Sequence, residues 1–313
     1  MIVESHISPI RVVKIIWRRI LTMTILTSAI IVPIQYFNLK QFSIGITTPL
    51  VLGTAISIFL GFRTNSAYDR WFKGRNQFGT LIANGRNFGL ILARVHERYE
   101  NLQTGADSQT ASLIMPRMIR RTIAYTWMLG YQLKDLDPFD IENIEELLEP
   151  DEITQLRNVH NPALKLLYNQ EKDFRRAAAE NQFLDGEHFE VVAIMRTYTN
   201  AQTECEALKN TPFPTHYTYF TDVFVWLLVV LLSLSLPADE NSGYYAIPLV
   251  VLIGWIFSMI EGIGDYMDHP WSNNRNVVPT DFLSRNLEID LRRFALSETD
   301  LPLPLGPVDG AVY

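Results

Sequence analysis

Four stretches of this chain run without a charged residue for so long that they limit its possible folds more than anything else in it. Ile20 to Phe37 is an uncharged run of 18 residues, Phe42 to Phe62 one of 21, Val223 to Ala238 one of 16 and Asn241 to Ile260 one of 20. A helix rises about 1.5 Å per residue, so about 20 mainly apolar residues cross a hydrocarbon core roughly 30 Å thick. The second and fourth runs suffice alone. The third reaches the length if Tyr219, Phe220 and Thr221 join it, which brings Asp222 near the interface. Fully buried helices of a large all-α soluble protein would give similar runs. The short links, Asn38 to Gln41 in the first pair and Pro237 to Gly243 in the second, favour two transmembrane helical hairpins.

Lys and Arg set the expected orientation. Arg11, Lys14, Arg18 and Arg19 precede the first span, and Arg63, Arg70, Lys73 and Arg75 follow the second; the first link holds only Lys40 and the second no positive residue. Both termini and the long middle segment are therefore expected on the cytoplasmic side. Tyr36, Phe37, Tyr219, Phe220, Tyr244 and Tyr245 near the span ends suit interfacial aromatic belts. The first residues show no small-residue cleavage site, so no cleavable signal peptide is read. A bacterial inner membrane is the expectation and a plastid membrane the alternative.

Residues 64 to 218 read as a helical cytosolic domain. Phe78, Leu81, Ile82, Phe88, Ile91, Leu92 and Val95 recur at helical spacing, and this helix is expected to continue the second span. Helical patterns also cover Leu113 to Leu136, Ile141 to Leu148, Pro162 to Asn181 and Glu187 to Lys209, with breaks at Gly105 to Ser108, Asp137-Pro138, Pro150, Asn161-Pro162, Asp185-Gly186 and Pro212 to Pro214. After the fourth span, Asp281 to Arg293 reads as one more amphipathic helix, and the proline-rich Leu301 to Pro307 as extended tail. The predicted division is an N-terminal helix at 1–19, a first hairpin at 20–62, a cytosolic domain at 63–218, a second hairpin at 219–262 and a C-terminal helix and tail at 263–313.

Catalytic chemistry has no foothold in this pattern. No phosphate-binding glycine loop, nucleophile elbow or H-E-x-x-H pair occurs. His188 and Glu190, two residues apart, point to different faces of a helix. His6, His96, His160, His216 and His269 lack an i, i+4 partner suited to a metal. Glu145-Glu146 and Asp151-Glu152 read as solvated charge beside a turn. Cys205 is the sole cysteine, which excludes an internal disulfide and a cysteine zinc site and reads as a small buried hydrophobe. A formal net charge of −7 argues against nucleic acid as a partner. No catalytic residue, metal or cofactor is expected, and the chain is not read as an enzyme.

The second run is unusual for a lipid anchor, because it contains Ser43, Gly45, Thr47, Thr48, Gly53, Thr54, Ala55, Ser57 and Gly61. Small and hydroxylated residues permit close helix packing or face water. Thr54, Ile58 and Phe62 share one helical face. Composition alone allows either a packing surface within one subunit or the wall of a narrow, mostly apolar pore of the type that gates by dewetting, and it favours the former.

The stretch Gly53 to Arg75 resembles the signature of the bestrophin family, in its bacterial and plastid branch. Gly61-Phe62, followed eight residues later by Arg70-Trp71-Phe72, matches the family's pore-helix core. Trp17-Arg18-Arg19 before the first span, Pro214-x-x-Tyr217-Thr218 before the third and Arg285-Asn286-Leu287 in the terminal helix are similar too, in order and spacing over about residues 10 to 294. The resemblance implies an all-α membrane protein forming a homopentamer around a central pore, a channel for inorganic ions. By resemblance, Thr54, Ile58 and Phe62 form the neck rings, and Phe183 or Leu184 a second, cytosolic constriction. Thr54 departs from the usual all-hydrophobic neck and suggests a wetter outer end. Animal members carry an acidic calcium clasp, whereas His269-Pro270-Trp271-Ser272-Asn273-Asn274-Arg275 offers no carboxylate, so calcium gating is not expected.

Chloride and other monovalent anions are the expected permeant ions. Phe62 ring edges could favour an anion if turned to the axis, and Arg63 could attract one, or else pair at an inner interface. Asp69 and Arg70 are read as partners in intersubunit or helix–helix pairs. A cation-selective channel on the same architecture, and a membrane-anchored scaffold or sensor, are the alternatives.

Overall fold

The computed structural model describes residues 9–100, 106–212, 214–238, 243–272 and 277–307. Within them lie ten α-helices: α1 (Pro9–Tyr36), α2 (Thr47–Glu100), α3 (Ala106–Leu133), α4 (Ile144–Leu147), α5 (Pro150–Arg157), α6 (Pro162–Ala179), α7 (Asp185–Asn210), α8 (Thr215–Ser235), α9 (Ala246–Asp268) and α10 (Thr280–Phe294). No strand occurs among the described residues. The chain divides into two compact units. One takes the chain up to Trp71 together with Pro212–His269, and the other takes Phe72–Thr211 and the residues from Pro270 onward.

The first unit contains α1, the beginning of α2, α8 and α9. Four helices are long and apolar enough to cross a membrane, with candidate spans at Trp17–Tyr36, Thr47–Tyr99, His216–Ser235 and Gly243–Asp268. Their shared core is formed by Met23, Ile56, Leu60, Val225, Leu228, Val229, Leu232 and Val250. Gly254 allows α9 to come close: a Cβ there would lie 2.7 Å from Val229 and 3.1 Å from Met23 Sδ. The second apolar run begins at Phe42, but α2 begins only at Thr47. Lys40–Phe42 is a short 3-10 turn, and the chain turns at Asn38, whose φ of 53° is the left-handed conformation asparagine tolerates.

In the second unit α3 is the hub. Met115, Met118, Ile119, Ile123, Ala124, Met128 and Leu129 have no solvent exposure, and residues 121–130 are buried on every side of the helix. Packed on it are α6, whose Gln170 side chain donates to the Met118 carbonyl at 2.8 Å, and α10, whose Glu288 accepts from Trp127 Nε1 at 3.1 Å. The inner half of α2 contributes Phe78, Leu81, Phe88 and Leu92 to the same core. Cys205 is fully buried on α7, as expected, and burial pushes its thiol up to about 12.

Several readings of the linear pattern are corrected here. α3 starts at Ala106, inside the break expected at Gly105 to Ser108, and the helix expected over Ile141 to Leu148 shrinks to the single turn α4. Pro150, read as a break, is the first residue of α5, where its missing N–H costs nothing. Glu152, read as solvated, is buried because it accepts from Arg121 Nε at 2.9 Å and Nη2 at 3.1 Å. Asp173 receives the other side of the same guanidinium at 2.8 Å. Gly105, the link residues 239–242 and Asn273 to Arg275 lie outside the described residues.

Gly85 and Gly89 form a feature the sequence reading passed over. They are four apart, on one face of α2, where α10 lies against the backbone. A Cβ at Gly85 would stand 2.9 Å from Leu287 Cδ2, and one at Gly89 would overlap the Leu291 side chain. Gly89→Ala gains about 1 kcal/mol of helix propensity but meets an overpacking cost of about 1–3 kcal/mol. The purified variant is expected to melt below the parent protein. Gly79→Ala, with open space around its Cβ, is expected to melt at the same temperature or above it, and equal melting of all three would refute a close α2–α10 approach.

Candidate functional site

α2 is two-faced along its membrane portion. Ile56, Leu60, Arg63 and Ala67 are buried, while Val51, Thr54, Ala55, Ile58, Gly61 and Phe62 are exposed. At 3.6 residues per turn, Thr54, Ile58 and Phe62 fall within about 40° of one line along the helix. Ile58 is 57 % and Phe62 65 % exposed. The three residues therefore share a face that is largely open among the described residues. Thr54 donates its hydroxyl to the Leu50 carbonyl at 2.9 Å, and Ser57 donates to the Gly53 carbonyl at 2.8 Å. Both hydroxyls thus have their proton satisfied by their own helix and keep acceptor lone pairs outward.

The opposite face ends in charge. Arg63 is 3 % exposed and lies in a network with Glu261, Asp265 and Thr218. Arg63 Nη1 is 3.8 Å from Glu261 Oε1, Nη2 donates to the Thr218 hydroxyl at 3.1 Å, and the same nitrogen pairs with Asp265. Arg19 of α1 pairs with Asp222 of α8 and donates to Glu261 Oε2 at 2.8 Å. Its guanidinium also lies 5.9 Å from the Trp226 ring centroid, a cation–π distance. Glu261, itself 3 % exposed, thus joins arginines from two helices. All four helices of the unit meet in this one ionic layer. Arg63, expected either to attract an ion or to pair at an inner interface, pairs within this chain with residues of α8 and α9, on the face opposite Ile58.

Two turns further, Arg70 Nε lies 2.9 Å from Asp268 Oδ1, a helix–helix pair of the expected kind. Asp69, expected in a similar pair, has none among the described residues. It is exposed and continues the line of Ile58 and Asn65.

The remaining two candidates lie in the other unit. Phe183 is 8 % exposed, with its ring edge against Phe174 at 5.1 Å between centroids, so it is core. Leu184 is 59 % exposed and caps α7. Its backbone N–H donates to Glu187 Oε2 at 3.0 Å, and Arg98 of α2 pairs with the same carboxylate. Burial opposes ionisation of Glu187, but those hydrogen bonds prevail and hold its carboxyl below the usual carboxylate range. Of the two, Leu184 is the exposed residue and Phe183 the buried one.

Among the described residues no group of three or more His, Cys, Asp and Glu side chains is placed to hold a metal ion. Glu261 and Gly85–Gly89 are the components that sequence reasoning missed or undervalued. A four-residue glycine spacing was visible for the second; nothing in the linear pattern signalled the partners of the first.

Comparison with known proteins agrees with this architecture. Residues 6–293 match the family model described as Bacterial/Fungal Bestrophin protein. A Salmonella typhi protein named voltage-dependent anion channel-forming protein YneE is 24 % identical over 288 residues, covering 92 % of this chain and 88 % of that one. A Mesorhizobium japonicum protein named voltage-dependent anion channel-forming protein mll4386 is 26 % identical over 289 residues, covering 90 % and 85 %. A solved bacterial bestrophin homologue from Klebsiella pneumoniae superposes with a TM-score of 0.78 at 21 % identity, covering 90 % of this chain and 98 % of the other. With the family model spanning nearly the whole chain, and with its four apolar helices and helical second unit on the same fold, this protein is a member of the bacterial and fungal bestrophin family.

Proposed function

We propose that this chain is the subunit of a homopentameric channel that conducts chloride and other monovalent anions, with Thr54, Ile58 and Phe62 from five copies of α2 forming its neck. The observation that carries the reading is the exposed face of α2. A helix that only filled a bundle would bury Ile58 and Phe62, yet both are exposed in a unit whose other α2 face is packed and ion-paired. The names of the relatives from Salmonella and Mesorhizobium support anions as the permeant species.

In this reading an ion enters past Thr54, whose outward lone pairs can hold water, and meets a dry constriction at Ile58 and Phe62. There it sheds part of its hydration shell, so weakly hydrated anions pass most readily. Arg63 holds the helices in register and does not touch the ion. Leu184, at the start of α7, is the candidate for a second, cytosolic constriction. Both termini lie on the cytoplasmic side, and the bilayer is a bacterial inner membrane.

The test is the reversal potential of the purified protein in a planar bilayer under a KCl gradient. The expected value lies near the chloride equilibrium potential. A value near potassium's would replace the anion reading by the cation one, and the absence of any current from a verified pentamer, across voltages of both signs, would favour a scaffold.

A further inference from the structure

The exposed line on α2 does not stop at the last apolar residue. Inward from Phe62 it continues through Asn65 to Asp69, each within about 40° of the Ile58 direction at 3.6 residues per turn, and both are exposed. From Thr47 to Asp69 the helix carries two charged residues, Arg63 and Asp69. Arg63 is buried and paired on the opposite face. Asp69 is therefore the first charge met on the exposed face when travelling inward from the neck.

Its surroundings give that charge no structural task. Arg19 pairs with Asp222 and Glu261, Arg63 with Asp265 and Glu261, and Arg70 with Asp268. Arg19, Arg63 and Arg70 at the inner end of these helices are thus engaged with acids other than Asp69, and Arg18 lies over the Trp17 ring at 5.6 Å. The residue is also far from either end of α2, where a helix dipole would favour or oppose it. Asp69 lies past the apolar run that ends at Phe62, so its exposed side meets water.

We propose that Asp69 tempers the anion preference of the pathway: five Asp69 carboxylates, one from each subunit, form an acidic ring at the inner mouth of the neck that draws cations and holds back anions there. The proposal rests on the pentameric-neck reading given above. Asp69 lies seven residues below Phe62, about 10 Å along the helix axis, which matches the Debye length of about 10 Å at 0.1 M salt. Lys73, the next charge, lies about 16 Å from Phe62 and is screened more strongly at the neck. The ring thus opposes anion passage at low ionic strength, and the apolar neck favours weakly hydrated ions at all ionic strengths. Selectivity becomes the balance of two opposed elements on one helix face.

Permeability ratios measured in planar bilayers at 0.1 M and 1 M KCl test this, with Asp69→Asn, Asp69→Glu and Ile58→Ala beside the parent protein. At 0.1 M, Asp69→Asn is expected to raise the chloride-to-potassium permeability ratio by about threefold or more, and the gain is expected to shrink at 1 M, where the Debye length falls to about 3 Å. Asp69→Glu is expected to keep the parent ratio. An unchanged ratio in Asp69→Asn at both salts, with Ile58→Ala still altering conductance, would overturn the ring and leave the neck standing. If Ile58→Ala were silent as well, the pentameric neck would fall and the ring with it.

A second variant guards against misfolding of the neutral one. Cys205 is fully buried with its thiol pushed up to about 12, so Asp69→Cys supplies one reactive thiol. A negatively charged thiosulfonate added to open channels is expected to return the permeability ratio toward the parent value, and a positively charged one to move it further away. Current that neither reagent affects would place residue 69 outside the ion path.

Discussion

Ile58→Ala is expected to raise single-channel conductance by about threefold or more, because the barrier at a narrow apolar constriction is the cost of stripping water from the ion. In a pentamer the change removes one large side chain from each of five subunits at a single level of the lumen. Stability should hardly change, since Ile58 is 57 % exposed within its subunit. Ile56, two residues earlier, is the internal control. It is buried in the core shared with Val225 and Val229, so Ile56→Ala is expected to cost about 2–5 kcal/mol of stability. Its effect on conductance should be the smaller one. Unchanged currents through Ile58→Ala would remove this residue from the pore wall.

The second large effect is expected at Glu261. This carboxylate lies between Arg19 and Arg63, and both it and Arg63 are almost wholly buried. Bringing charges out of water is costly, and the mutual attraction offsets that cost while the partners are in place. Glu261→Ala leaves Asp265 as the one acid paired with Arg63 and Asp222 as the one paired with Arg19 among the described residues, while removing the group that ties the two arginines together. The expected loss is about 3–5 kcal/mol, read as a lower melting temperature of the detergent-solubilised protein. Adding Arg63→Met to Glu261→Ala is expected to restore part of the loss, because the unpaired buried charge is then gone. A double variant that melts at or below the temperature expected from adding the two single effects would refute the coupling.

Much of this architecture can be read from the chain because membrane helices satisfy their own backbone groups and must be apolar over a fixed length. That requirement makes the regions of α1, α2, α8 and α9 visible without any tertiary information. The outward set Thr54, Ile58 and Phe62 was legible for the same reason, as a helical face of mixed small and apolar residues. Pairing was not. Nothing at position 152 tells a reader that Glu152 will be buried against Arg121, and nothing at 261 announces Arg19 and Arg63, since partners 31 to 242 residues apart are chosen by packing. Pro150 misled because proline ends one helix and starts the next with equal ease, and the distinction rests on what precedes it. Phe183 and Leu184 are adjacent and equally apolar; the fold buries one beside Phe174 and exposes the other.

The uninterrupted course of α2 from Thr47 to Glu100 has a consequence for how such a chain can vary. Adding one residue in its middle turns everything beyond by about 100° and shifts it by about 1.5 Å, so Thr54, Ile58 and Phe62 could not keep their direction while Phe78, Phe88 and Gly89 kept theirs. Insertions and deletions along this stretch are therefore lethal to one end or the other unless they come in sets that restore the turn. Substitution is the mode of change that the helix tolerates, and length differences among related chains should collect in the connections between helices.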